Sequence, residues 1–397
     1  MKSKGYTIQD RQYWAIIMSL GLGSLFIFAT MYSFQSILPL LTSEYDISIS
    51  AASLTVSVTT IGLIAGLITV GFLSDRQGRK RFMIASVMVT TLLLFVIPLS
   101  PTFSLIVFLR FIQGFALAGL LGAALAFMAE EIDPFHFGFA TTLYIACNSL
   151  GGMAGRFITS FLAENYSWQT TLYLIGLAGI FITLIIVAFL PRSRYFNQST
   201  EPIWTDVKGF FVHFKNPTLL LMFGLGIVLQ TAFTGMWTFL PFHLIEAPYH
   251  LSLKDISYFY LAYSFGIIGA PMAGWLSKQY SFRTIRIAGI IILSAGMFIL
   301  LGQPLLSIGI GLSFICLGFF VAHSITSATV SQTASHHKGS ASSLYLVSYY
   351  IGVAIGSTLL TPIWEQFQWQ GIILFCAILP ILYLIAVLFI QKRKKTP

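Results

Sequence analysis

Long apolar stretches recur along this chain, each ended by a short polar or proline-containing break. Twelve are long enough to cross a bilayer, at about 13–41, 51–73, 82–100, 102–128, 137–163, 168–190, 217–245, 255–277, 284–302, 304–330, 339–363 and 368–390. A crossing helix needs about 20 apolar residues, because lipid offers the backbone no hydrogen-bond partners and a helix satisfies them internally. Pro101 separates the third run from the fourth, and Gln303-Pro304 the ninth from the tenth. Read as one helix, either pair would overshoot the membrane about twofold at a rise of 1.5 Å per residue. The polar start and the long run after it predict no cleaved signal peptide. The pattern therefore predicts an all-α membrane protein with twelve transmembrane helices.

Composition agrees. The 397 residues are 56% hydrophobic and 9% charged, where soluble domains carry about 25% charge. The net charge of +9 is scattered in short clusters rather than gathered on one dense basic face, which argues against nucleic acid as a partner. Of the 22 Lys and Arg, all but Lys254, Arg110 and Arg156 fall at span ends and loops of one side, among them Lys278, Arg283 and Arg286 around the loop between spans eight and nine. That bias predicts that both termini are cytoplasmic. Cys147, Cys316 and Cys376 lie inside apolar runs without metal-ligand spacing, so they read as buried hydrophobes, with neither a disulfide nor zinc. No cofactor or metal is expected. The chain has no GxxxxGK[ST] phosphate loop, which argues against an ATP-driven pump.

Residues 138–169 align without a gap on 339–370, at a shift of 201. Nine positions are identical: Gly138/Gly339, Ala140/Ala341, Leu143/Leu344, Tyr144/Tyr345, Gly151/Gly352, Gly155/Gly356, Glu164/Glu365, Trp168/Trp369 and Gln169/Gln370. The shift is half the chain and six spans long. Halves with an even number of spans share one orientation, so two six-helix bundles should be related by a pseudo-two-fold axis along the membrane normal. The predicted organisation is an N-terminal bundle at 1–190, a cytoplasmic linker at 191–216 and a C-terminal bundle at 217–397. The end of the linker, 204–216, mixes aromatics with Lys208, His213 and Lys215, which reads either as a short helix on the membrane surface or as an ordinary solvated connector. Gly151/Gly155 and Gly352/Gly356, each four apart, predict smooth strips for close helix contact.

The second span closes on Gly71-Phe-Leu-Ser-Asp75-Arg76-Gln-Gly78-Arg79-Lys80-Arg81. Here Gly71 should let helices approach, Asp75 should pair with a base or cap a helix, Gly78 should turn the chain, and the basic trio should anchor it to the anionic leaflet. The block resembles the G-x-L-x-D-R-x-G-R-[KR] signature of the major facilitator superfamily, and Arg110-Phe-Ile-Gln113-Gly114 resembles its R-x-x-Q-G motif. The resemblance covers all twelve spans and implies that fold, with the first block as a gating motif of Gly71, Asp75, Arg76, Gly78, Arg79 and Lys80. The matching loop of the second half, Gly274-Trp-Leu-Ser-Lys278, has Lys where Asp would stand. Tyr32–Pro39, Gly151–Arg156, Ala322–Ser324 and Ser342–Tyr350 look like a bacterial subgroup known as arabinose-efflux-permease-like, or inner-membrane efflux, proteins. That implies export.

Charges inside the spans sharpen the chemistry. Arg110 and Arg156 lie about 12 Å and 10 Å from their outer span ends at the helical rise, and an intramembrane charge is a functional candidate. Either could be neutralised by carbonyls or by an acid such as Glu164. No Asp or Glu lies well inside a span, so His323 is the titratable candidate for proton coupling, with Asp75 and Glu130/Glu131 at cytoplasmic span ends as the alternative groups that respond to pH. Two arginines without a deep acid predict a preference for neutral or anionic solutes. Tyr32, Gln35, Asn148, Gln230, Trp237, Tyr345 and Tyr349 offer donors, acceptors and ring faces at central depth, and Gln113 accompanies Arg110. The sequence thus predicts a monomeric secondary transporter of the cytoplasmic membrane. It would move a small solute by alternating access, with protons as the coupling ion and outward direction. The alternative is a polytopic membrane enzyme or sensor, for which Glu130-Glu131-Ile132-Asp133-Pro134-Phe135-His136 is the only acidic cluster with a nearby histidine.

Overall fold

The computed structural model of the chain describes residues 5–196, 212–334 and 338–393. Fourteen α-helices are described: α1 Arg11–Ser33, α2 Leu38–Tyr45, α3 Ile49–Gln77, α4 Arg79–Val96, α5 Phe103–Glu131, α6 Pro134–Asn165, α7 Trp168–Phe189, α8 Pro217–Ile245, α9 Leu253–Ser257, α10 Tyr263–Leu276, α11 Phe282–Ile299, α12 Leu305–Thr333, α13 Lys338–Ala354 and α14 Thr361–Arg393. Among the described residues the only extended pairing is a single bridge between Tyr6 and Ile132.

The sequence explains where the helices start. Ser48, Asp133, Ser167, Asn216, Ser252 and Ser281 each cap a helix, accepting from a backbone N–H two or three residues on. Such a side chain satisfies one of the donors that a helix start leaves orphaned. Pro134 and Pro217 follow their caps directly, where a missing N–H costs nothing.

Four spans differ in detail from the sequence reading; the eighth, read at 255–277, is divided into α9, a 3₁₀ turn at Tyr258–Ala262 and α10. The run at 13–41 is not one helix: α1 stops at Ser33, a 3₁₀ turn covers Phe34–Ser36, and α2 begins at Leu38. Pro39 explains the break, since its ring would collide with the carbonyl four residues back and it supplies no N–H. The eleventh span leaves α13 through a π turn at Ile355–Leu359. The last, α14, is kinked at Gln368, which takes a φ of 50°. Eleven described segments are long and apolar enough to cross a membrane. The expected fifth span, α6, is 32 residues long but too polar to join them, because it carries Asn148 and Arg156 among its glycines.

The described residues fall into two compact units. The first comprises Met1–Glu201 with Ser252–Tyr258, and the second Pro202–Leu251 with Phe259–Pro397. Each is assembled on a glycine seam. In the first unit, Gly151 and Gly155 of α6 face the backbone of Leu25 and Ala29 on α1, so close that a Cβ at either glycine would overlap a carbonyl oxygen. In the second unit, a Cβ on Gly352 would stand 2.5 Å from the Ile227 oxygen of α8, and one on Gly356 2.5 Å from the Thr231 oxygen. The glycines repeat at the shift of 201 seen in the sequence, so the duplicated residues build the same helix contact twice. The expected surface helix at 204–216 lies outside the described residues up to 211.

Candidate functional site

Arg110 is fully buried, with 0% of its surface exposed, and needs no acid. Its Nε donates to Thr55 O at 3.1 Å, Nη1 to Thr30 O at 3.3 Å and to Gln113 Oε1 at 2.5 Å, and Nη2 to Met31 O at 3.0 Å. Thr30 and Met31 are in the last turn of α1, where carbonyls lack intrahelical partners and the helix end carries partial negative charge. The early stop of α1 thus creates the acceptors that hold the cation. Phe34 lies beneath the guanidinium at 4.3 Å, and Gln113 continues to Thr90 O at 3.3 Å. One arginine on α5 so ties α1 and α3, and its glutamine ties α4.

Arg156 is 2% exposed. Its Nε donates to Gln35 Oε1 at 2.8 Å, Nη1 to Gly152 O at 2.7 Å, and the guanidinium covers the Tyr32 ring at 4.0 Å. Gln35 reaches it because the 3₁₀ turn after α1 aims Gln35 inward. Asn148 accepts a hydrogen bond from Ser24. Of the two neutralising partners the sequence allowed, carbonyls or an acid, Glu164 serves elsewhere: its Oε2 accepts from Leu253 N at 3.1 Å, while Ser160 donates to Leu253 O at 2.8 Å. These two bonds hold α9 against α6. Arg156 is instead neutralised by amide and carbonyl oxygens.

In the second unit His323, Tyr345 and Tyr349 come together. The Tyr345 hydroxyl pairs with His323 Nδ1 at 2.9 Å. The imidazole stacks on Phe319 at 5.6 Å between centroids, and Tyr349 lies 5.0 Å away. Phe319 stacks in turn on Phe233 at 4.0 Å, and Phe233 meets Trp237 edge-on at 6.3 Å. Gln230 Nε2 donates to Thr234 at 2.9 Å. The Gln230 Oε1 and Trp237 Nε1 atoms are buried without a hydrogen-bond partner among the described residues, a costly state unless something else meets them.

The block after α3 forms a polar knot. Gly78, at φ 99°, caps α3 and starts α4, a backbone angle that favours glycine. Arg79 reaches Asp75 on one side and Glu130 on the other, the latter through Nε at 2.9 Å and Nη2 at 2.8 Å. Arg76 donates to Phe72 O at 3.0 Å. Two expectations change here. Lys80 is not free for the leaflet, since its ammonium donates to Leu190 O at the end of α7, where a helix C-terminus favours a cation. Gly71 makes no close approach: no atom stands within 4 Å of the Cβ it lacks. Gly62 and Gly66 of α3, facing Phe111 and Phe115 of α5, make that contact instead.

The acidic cluster at 130–133 disperses. Glu130 goes to Arg79, and Asp133 caps α6 at Phe135 N, 2.9 Å. Glu131 is fully buried, and its Oε1 accepts from Ser193 Oγ at 2.7 Å, Arg194 N at 2.6 Å and Tyr195 N at 3.1 Å. Arg194 lies over the Tyr6 ring at 5.2 Å, and Tyr6 N donates to Glu131 O at 2.7 Å. Burial pushes the Tyr6 phenol above its ordinary pKa. Sequence reasoning did not foresee this fastening, because the partners are sixty residues apart and mostly backbone.

The sequence groups Arg286 with the basic residues around the loop between spans eight and nine, at the start of the ninth. It lies on the buried face of α11, 6% exposed. The signal was present: Ser281 caps the helix, and Ile285, Arg286, Gly289, Ile290 and Leu293 then follow at helical spacing as buried residues.

Apolar helices of membrane-crossing length, in two units whose interiors hold arginines, amides and a histidine tied from helix to helix, define a polytopic membrane carrier. The Major Facilitator Superfamily model matches residues 20–357 and 249–397, and the chain belongs to that family. It is 33% identical, over 96% of its length and 91% of the relative's, to an uncharacterized transporter of Buchnera aphidicola subsp. Schizaphis graminum. It is 30% identical to the inner membrane transport protein YnfM of Escherichia coli, over 96% and 92% of the two chains. Among solved structures, a bacterial homolog of the human lysosomal transporter Spinster superposes with a TM-score of 0.80 at 14% identity, covering 95% of this chain and 97% of the other. The nucleoside transporter NupG gives 0.75 at 16%, covering 94% and 98%. The fold is theirs. The protein is a multi-pass membrane transporter of a small molecule, not an enzyme, and family and fold support transport by alternating access.

Proposed function

We propose that this carrier exports a small neutral or anionic solute across the cytoplasmic membrane in exchange for protons, and that His323 is the group that titrates. The observation that carries the reading is the Tyr345–His323 pair. It is a half-buried imidazole with one nitrogen engaged at 2.9 Å, in a unit whose described acids, Glu246 and Glu365, both lie near helix ends away from it. Imidazole changes charge near neutral pH, and Tyr345 fixes the ring so that gain of a proton is felt by Phe319 and Tyr349 around it. The anionic or neutral preference is supported by Arg110 and Arg156, which donate to carbonyl and amide oxygens among the described residues. Export follows the resemblance to inner-membrane efflux proteins.

In this reading 1–190 and 217–397 are the two bundles and 191–216 joins them on the cytoplasmic side. The placement of lysine and arginine supports cytoplasmic termini, and the carrier works as a monomer. Gly71, Asp75, Arg76, Gly78, Arg79 and Lys80 form the gating element. Its Asp75–Arg79–Glu130 knot joins α3, α4 and α5, and its two acids are partly exposed, so the arginine can exchange partners. Arg110 and Gln113 position helices. Tyr32, Gln35, Asn148, Arg156, Gln230, Trp237, Tyr345 and Tyr349 are the candidates for contact with the solute.

The test is a solute screen in sealed proteoliposomes under an imposed proton gradient, with an internal pH dye. The reading expects one class of neutral or anionic solute to move against the proton flow and to alkalinise the acidic compartment. Selective transport of lipophilic cations, or solute flux that leaves the dye unchanged, would contradict it.

A further inference from the structure

Arg286 differs from the other two buried arginines in what surrounds it. Arg110 has four oxygen acceptors and Arg156 an amide and a carbonyl. Arg286 has only Nη1 engaged, to Met222 Sδ at 3.3 Å and Thr329 Oγ1 at 3.1 Å. A thioether is a weak acceptor, and the Thr329 hydroxyl is itself committed as a donor to Ile325 O at 2.7 Å. The Nε–Nη2 edge of the guanidinium has no hydrogen-bond partner among the described residues. The residue is 6% exposed. No described acid can serve it within its unit, because Glu246 closes α8 and Glu365 starts α14, whereas Arg286 is in the second turn of α11. A permanent cation held out of water without a counter-ion is expensive. The two contacts to Nη1 do little to offset that cost, but they fix the plane of the group.

What they leave without a partner among the described residues is a two-donor fork, the arrangement that matches carboxylate and phosphate oxygens in a bidentate pair. Lys278 and Arg283 lie just before it in the chain on exposed positions, and all three basic residues are on the side expected to be cytoplasmic. Tyr345, whose hydroxyl pairs with His323, interacts electrostatically with Arg286.

We propose that the Nε–Nη2 edge of Arg286 is a binding site for an anionic oxygen group, a carboxylate or a phosphate, presented from the cytoplasmic side of the second unit. Two sources carry that chemistry: a free solute that the carrier moves, or the headgroup of an anionic lipid. For the first source the site rests on the transport reading above and assigns its substrate an acidic group; binding itself does not depend on that reading.

The experiment uses the full-length protein in phosphatidylcholine nanodiscs, at fixed ionic strength made up with chloride. In one arm sodium benzoate and inorganic phosphate are titrated, and equilibrium binding and the thermal unfolding midpoint are followed. In the other, phosphatidylglycerol is mixed into the nanodiscs without a free probe. Arg286→Met, Arg286→Lys and Thr329→Val are compared with the parent after each is shown to be monodisperse. Binding of a free anion should weaken at least about tenfold in Arg286→Met, less in Arg286→Lys, which keeps the charge but not the fork, and measurably in Thr329→Val, which loses the anchor. That result assigns the site to a solute. Stabilisation by phosphatidylglycerol alone that disappears in Arg286→Met assigns it to a lipid headgroup. Equal responses of parent and Arg286→Met in both arms overturn the proposal. No gradient is applied, so a carrier that fails the proton-exchange screen can still pass this test, and the reverse.

Discussion

Placing one methyl group in the glycine seam of the second unit should loosen α13 from α8. A Cβ on Gly352 would stand 2.5 Å from Ile227 O, 2.8 Å from Gln230 Cβ and 3.2 Å from Ile227 C. Ordinary contact begins near 3.4 Å, so α13 must back away by close to an ångström, and two of the three obstacles are backbone that cannot rotate aside. Overpacking of this kind costs about 1–3 kcal/mol. The Thr231 hydroxyl would also lose its bond to Gly352 O, now 3.3 Å, worth about 0.6 kcal/mol inside a membrane. Alanine's better helix propensity returns up to about 1 kcal/mol. Gly352→Ala should therefore destabilise the carrier by about 2 kcal/mol in equilibrium unfolding from mixed micelles. The internal control is Gly274→Ala on α10, where no atom stands within 4 Å and the change should stay within about 0.5 kcal/mol. Gly151→Ala should repeat the loss in the first unit, against Leu25. Equal stability of Gly352→Ala and Gly274→Ala would refute the idea that these glycines are kept for close packing.

Three further outcomes follow from the polar networks. Arg110→Lys keeps the charge but cannot reach Thr55, Thr30, Met31 and Gln113 together, so unfolding should become easier by about 2–4 kcal/mol, the scale for groups left unsatisfied in a buried site; an unchanged transition would mean the bonds are dispensable. Glu131→Gln removes the charged acceptor of the Ser193–Tyr195 stretch, and amide exchange at Arg194 and Tyr195 should accelerate about tenfold, matching roughly 1.4 kcal/mol of local protection, while α5 amides stay unaffected. A double-mutant cycle on Arg79→Gln and Glu130→Gln should give a coupling energy of about 1 kcal/mol or more, since the pair is bidentate in donors and partly buried; a value near zero would leave the knot without energetic weight.

What the sequence made legible was whatever repeats or has a period. Twelve apolar runs located the helices, and the shift of 201 between Gly151/Gly155 and Gly352/Gly356 located the seams. Local exceptions were harder to read. The stop of α1 at Ser33 depends on Pro39 six residues later, inside a run that looks uniformly apolar, and this stop supplies the carbonyls that Arg110 takes. Arg286 was hidden because Lys278, Arg283 and Arg286 together look like an ordinary basic loop; only the periodicity after Ser281 separates Arg286 from the other two. Partners far apart in sequence, such as Glu131 with residues 193–195 or Glu164 with Leu253, leave no pattern, because a carboxylate bonded to backbone N–H groups places no demand on the identity of its partner.

The most direct measurement is solute-evoked proton movement in proteoliposomes, recorded side by side for the parent carrier and His323→Gln. Glutamine can still pair with Tyr345 but holds no titrating proton. If His323 carries the exchange, the variant should keep solute counterflow at equal pH on both sides and lose proton movement together with pH-driven accumulation. Proton movement of parental size in His323→Gln, at matched protein density, would contradict it.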